Sequence, residues 1–192
     1  MDQGGKSEQI KLRLAESMKH CMKTSSVEKI TVQQIVGQCG TTRQTFYRNF
    51  SDKYDLINWY FEKLLLESFE HMGEGKTIYE GLVKKFNFIF QEQEFFTKAF
   101  RMDEQNCLKD YDFRLIQQFY TERIAKKTGA TLDGDTEFLL EMYCRGSIYM
   151  TVKWVLDGMK LPPEELSENL VNAIPEKLRL LFLELKMIED PA

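Results

Sequence analysis

The chain has 192 residues, 43% of them hydrophobic and 12% aromatic, with four prolines; it can bury a real core and is too apolar to be a disordered polypeptide. No apolar run approaches the roughly 20 residues that span a bilayer, and the first residues lack the apolar segment of a signal peptide, so a cytoplasmic protein is expected. The net charge of −4 is uneven: residues 1–53 carry nine Lys or Arg against five Asp or Glu, net +4, which leaves −8 for the remainder and suits a polyanion-binding head on an acidic body.

From Ser7, the positions Ile10, Leu14, Met18 and Cys21 or Met22 recur at helical spacing and predict a first helix ending near Thr24. Residues 24–30 form a connection, with Ile30 packing beneath the next helix. Thr31 is a good N-cap for a short helix carrying Val32, Ile35, Val36 and Cys39, and Gly40 supplies the positive φ that ends it. Thr42 caps a second short helix. There Phe46 and Phe50 share one greasy face, with Gln44, Arg48 and the flanks of Thr45 and Tyr47 turned away. Ser51 or Asp52 caps a third, connecting helix. Its stripe runs from Leu56 and Ile57 through Tyr60, Leu64 and Phe69 toward Met72, about 20 residues or roughly 30 Å.

Gly73 and Gly75 break this helix, and Thr77 caps the next, marked by Ile78, Leu82, Phe86, Ile89 and Phe90. Glu92 and Glu94 flank a bend before a short helix with Phe95, Phe96 and Phe100. After the polar residues 103–106, Leu108, Tyr111, Leu115, Phe119 and Ile124 define another, closed by Gly129. Residues 135–157 read as one long helix, apolar on two faces. Phe138, Met142, Tyr149, Val152 and Leu156 make one, Leu140, Cys144, Ser147, Thr151 and Val155 the other. Gly158 ends it, and residues 164–187 form a final helix with a stripe from Leu166 to Leu185, kinked at Pro175. The sum is an all-α chain of about nine helices, with a helix-turn-helix head over residues 1–53 and a helical body over 54–192.

Helix, glycine turn, helix is the geometry that lays a second helix in the major groove of DNA. The wording TV-x-x-I followed by G-x-x-R-x-TFY-x-x-F-x-x-K-x-x-L, from Thr31 to Leu56, closely resembles the TetR family of transcriptional regulators. The stretch RQTFY-x-x-F-x-DKYDLI-x-W is similar to the DhaS-like subgroup of dihydroxyacetone-kinase regulators. Arg43, Gln44 and Thr45, near the start of the recognition helix, are the expected base readers: a guanidinium for guanine, an amide for adenine, and from Thr45 a methyl or hydroxyl. On the family's pattern the phosphate contacts fall on Tyr47, Arg48, Asn49 and Lys53, with Thr31, Gln33 and Thr42 completing the set.

One head of this size touches few base pairs, so a homodimer on a palindromic operator is expected. The resemblance places its interface on residues 135–157 and 164–187. It also implies a small-molecule pocket in the body, for which Phe86, Phe90, Tyr111, Arg114, Phe119, Tyr143 and Arg145 are the candidate lining. The same aromatics read equally as packed core, the arginines as paired surface charges, and the DhaS likeness allows a sensor protein in place of a metabolite. No G-x-S-x-G, P-loop or dinucleotide glycine pattern occurs, and His20 and His71 have no evident nucleophile beside them, so no enzyme is expected. Cys21, Cys39, Cys107 and Cys144 are too scattered for a metal cluster, and no cofactor is expected. A helical protein–protein adaptor is the alternative function; it would account for the body but not for the RQTFY head.

Overall fold

The computed structural model describes residues 3–70, 76–101 and 108–189. Ten α-helices and one short 3-10 turn account for most of it, with no β-strand among the described residues. By contacts the chain divides into two units, Met1–Lys63 with Gln93–Leu108, and Leu64–Glu92 with Lys109–Ala192. His71, Met72, the predicted glycine break at Gly73 and Gly75, the polar residues 103–106 and Cys107 lie outside the described residues.

In the first unit, α1 (Gln3–Thr24) buries Leu14, Ala15, Met18 and Met22. A 3-10 turn (Val27–Lys29) leads to α2 (Val32–Cys39), α3 (Arg43–Asn49) and α4 (Lys53–Phe69), of which the residues up to Lys63 belong to this unit and those from Leu64 to the second. Each start has the cap its sequence predicts. Thr31 and Gln34 form a reciprocal capping box, Thr42 accepts the amide of Thr45, and Asp52 accepts the amides of Tyr54 and Asp55 at 2.8 and 2.9 Å. Gly40 sits at φ 67°, the left-handed conformation that a Cβ disfavours, and so turns the chain from α2 into α3. The end of α2 is held from outside as well: Arg13 of α1 donates to the Cys39 carbonyl at 2.7 Å.

The helix α6 (Gln93–Arg101) belongs to this same unit. Phe95 meets Tyr60 edge-on at 5.2 Å, and Phe61 packs between Phe96 and Phe100 at 5.8 and 6.3 Å. These three phenylalanines, grouped by sequence with the aromatic body, instead close the core around the first half of α4.

The second unit holds α5 (Ile78–Gln91), α7 (Leu108–Thr128), α8 (Gly134–Leu156), α9 (Pro163–Asn172) and α10 (Glu176–Glu184). Thr77 and Glu80 form a capping box at the start of α5, and Asp133 caps α8 while Lys177 of α10 bonds it at 2.9 Å. The final helix expected over 164–187 is two helices. Pro175, at φ −56° and ψ 141°, leaves the helical region and starts α10 afresh, because proline lacks the N–H and clashes with the preceding turn.

The stripe of α7 also differs from the predicted one. Tyr111, Leu115 and Phe119 are only half-buried, whereas Leu108, Asp112, Ile116, Tyr120 and Ile124 face the interior. The carboxylate of Asp112 is fully buried and meets Lys85 Nζ of α5 at 3.4 Å, itself nearly inaccessible. Phe90, expected on the apolar stripe of α5, is 46% exposed, because it falls outside the register of Ile78, Leu82, Phe86 and Ile89. No helix among the described residues is long and apolar enough to cross a membrane.

Candidate nucleic-acid interface

Phe46, buried completely, and Phe50 anchor α3 to the unit, and Phe50 packs on Trp59 at 5.6 Å with the Lys11 ammonium over both rings. With one face so fixed, the opposite face of α3 is presented to solvent. Arg43, Gln44, Tyr47 and Arg48 are all exposed, Tyr47 by 51%. A buried aromatic pair therefore orients a row of hydrogen-bond donors, which is what a helix reading DNA requires. The Arg43 guanidinium lies 6.0 Å from the Tyr47 ring centroid, at the reach of a cation–π contact.

The remaining predicted contacts differ in how free they are. Gln33 is exposed and open. Thr31 and Thr42 are exposed, but their hydroxyls cap α2 and α3, and Thr45 Oγ1 lies 3.0 Å from that of Thr42. Asn49 is half-buried and donates to the Thr45 carbonyl at 2.8 Å, while Ser7 of α1 donates to its Oδ1 at 3.5 Å. Lys53 donates to the carbonyls of Glu28 and Ile30 at 2.7 and 2.8 Å, which pins the turn before α2; one of its three N–H donors is left. Desolvation lowers its pKa below the usual lysine value, the nearby carboxylates of Glu28 and Asp52 opposing.

The seven candidate ligand residues are not drawn together in the same manner. Phe86 is buried against Trp154 at 5.6 Å, and Phe90 is exposed. Tyr143 is buried, and its hydroxyl donates to the Leu170 carbonyl at 3.1 Å. Arg114 is exposed over the half-buried Tyr111 ring, and Arg145 is exposed, bonded to Glu141 at 2.7 Å and stacked 3.9 Å from the Phe113 centroid. Phe119, stacked on Phe69, lines an open groove of about 650 Å3, shared with Leu66, Glu67, Arg123 and Lys126. Burial pushes the Cys144 thiol up to about 12, which keeps it an un-ionised core side chain.

A third surface stands out. Phe138, Met142, Tyr149, Met150 and Leu156 of α8 are exposed, as is Leu180 of α10, while Leu140, Cys144, Thr151 and Val155 face the core. The two-faced reading of this helix is thus realised, except that Val152 lies with the buried set.

Sequence reasoning missed the Lys85–Asp112 pair, although both residues occupy the register of a buried stripe: 78, 82, 85, 89 on α5 and 108, 112, 116, 120 on α7.

Residues 76–176 match the family described as TetR_C_8, transcriptional regulator C-terminal region. The chain is 25% identical over 170 residues to the HTH-type dhaKLM operon transcriptional activator DhaS of Lactococcus lactis, covering 87% of this chain and 89% of that protein. Among solved structures it is similar to the dihydroxyacetone kinase operon activator DhaS, with a TM-score of 0.63 at 19% identity over 94% of this chain and 98% of that one. It is also similar to the transcriptional regulator FadR from Bacillus subtilis in complex with stearoyl-CoA, with a TM-score of 0.54 at 19% identity over 93% and 99%. The helix-turn-helix geometry and the match of more than half the chain lead to one assignment: the chain belongs to the TetR family of transcriptional regulators.

Proposed function

We propose that this regulator binds a palindromic operator as a homodimer, with residues 1–53 as the DNA-binding head and 54–192 as the regulatory and dimerisation body. The observation that carries this reading is the α3 surface, where Arg43, Gln44, Tyr47 and Arg48 are exposed opposite a buried Phe46 and Phe50. Arg43, Gln44 and Thr45 read base edges; Tyr47, Arg48, Asn49 and the remaining donor of Lys53 hold phosphates, helped by Thr31, Gln33 and Thr42 at the helix starts. Phosphate contacts fix register and base contacts give sequence, so the two groups fail differently when mutated.

The exposed apolar row of α8, with Leu180 of α10, pairs with its copy across a two-fold axis. Apolar surface of this extent is costly to leave in water, and a two-fold pairing covers it on both copies at once. DNA affinity is then modulated by a small ligand or partner protein that biases the body between two arrangements, in the cytoplasm where the operator is. The DhaS likeness and the FadR complex support this modulated form of the reading.

The combined Arg43→Ala and Tyr47→Phe variant tests the contact assignment. On the duplex that the wild type selects from a random pool, this variant loses sequence preference while its fold is unchanged. Unaltered preference by fluorescence anisotropy at about 0.15 M salt would remove α3 from the reading role.

A further inference from the structure

We propose that the recess between the end of α1 and α6, within the first unit, binds a small phosphate-bearing ligand. Lys23, Thr24 and Ser25 line it from one side and Lys98 and Arg101 from the other, around about 330 Å3. Val27, also in its lining, is fully buried.

Three cations therefore border one small space. Lys98 alone is matched: it donates to the Met22 carbonyl at the end of α1 and to Glu94 at 3.1 Å. Lys23 and Arg101 are exposed and have no carboxylate partner among the described residues. Like charges facing one recess repel, and an anion between them turns that repulsion into attraction. The donor set favours phosphate over a carboxylate. A guanidinium fork, the Lys23 ammonium, the one remaining donor of Lys98 and the Ser25 hydroxyl outnumber the two oxygens of a carboxylate but suit the three or four of a phosphate. Thr24 adds a hydroxyl now held only by a long 3.4 Å bond to the Cys21 carbonyl.

The recess is distinct from the DNA-reading face. Ser7 of α1 touches Asn49 of the recognition helix, and Lys23 lies sixteen residues further along the same helix, about 24 Å away. A ligand bound there would bridge the end of α1 to α6 and so stabilise the first unit, whether or not that unit reads DNA.

Titration calorimetry of the full chain with inorganic pyrophosphate at about 0.15 M salt tests the site. A single saturable site is expected, weakened at least tenfold in the Lys23→Gln, Arg101→Gln double variant and unchanged in Lys29→Gln, which removes an exposed cation outside the recess. Both substituted side chains are exposed, so thermal unfolding without ligand should match the wild type. No saturable binding, equal binding by the double variant, or equal loss in Lys29→Gln would overturn the proposal. So would a fall of about 1.8 in the salt slope of DNA binding by the double variant, since the recess would then hold two phosphates of the duplex.

Discussion

Arg43 and Arg48 stand in water with their donors open, whereas Lys85 and Asp112 are withdrawn into the second unit and matched to one another. The difference is in what each charge can still do. An open guanidinium reaches a polyanion with little to desolvate, and its loss is felt only when the partner is present. A buried ammonium has already given up its water and is matched inside the protein, so its loss is felt by the fold.

The largest expected effect comes from breaking the buried pair. Lys85→Met strands the Asp112 carboxylate and should cost about 3–5 kcal/mol of stability by denaturant unfolding, with the DNA face untouched. Burial already raises the Asp112 pKa, more than Lys85 lowers it. An acid whose pKa is raised by folding binds its proton more tightly in the native state, so its contribution falls as pH climbs from the unfolded value through the folded one. Removing Lys85 raises that pKa further, and the deficit of the variant should be larger at about pH 8 than at about pH 5. Adding Asp112→Leu should restore most of the loss; a double variant as unstable as the single one would mean the pair is not what Lys85→Met disrupts.

Exposed apolar side chains give the next effect. Tyr149, 67% exposed on α8, should act as an anchor between copies, and Tyr149→Ala should weaken the dimer by about 2 kcal/mol, roughly 30-fold, in sedimentation analysis. An unchanged oligomeric state at all dilutions would remove α8 from the interface. Lys53 tests the boundary between the two kinds of charge, because it is bonded inward and also proposed to hold a phosphate with its remaining donor. Lys53→Met should cost about 1–2 kcal/mol of stability for two unmet carbonyls and lower the salt slope of DNA binding by about 0.9. Arg48→Ala should lower that slope equally with stability unchanged. The smallest effect belongs to Thr31→Ala, which removes one side of a capping box for about 1 kcal/mol.

The head was the legible part of the molecule because its signals are local. A cap, a left-handed glycine and two phenylalanines four residues apart fix α2 and α3 within a span of twenty residues, and Thr31, Gly40 and Thr42 all do in the fold what their chemistry implies. Proline chemistry was legible too, though Pro175 proved strong enough to end a helix rather than bend it. What periodicity could not supply is long-range. Asp112 was passed over because a lone carboxylate looks like a surface residue; its place in the stripe makes sense only beside Lys85, 27 positions away. Phe95, Phe96 and Phe100 look like more of the aromatic body until Tyr60 and Phe61 are seen to hold them. Open and buried aromatics are likewise identical in sequence, and nothing local separates the exposed Phe90 from the buried Phe86.

Selection of bound duplexes from a randomised pool, at about 0.15 M salt so that phosphate attraction alone does not dominate, tests the central claim directly. A dimeric reader of this geometry should enrich a palindrome with half-sites about one helical turn or slightly more apart. Binding that is salt-sensitive and enriches no sequence would contradict it, and leave a helical adaptor whose exposed arginines meet only protein.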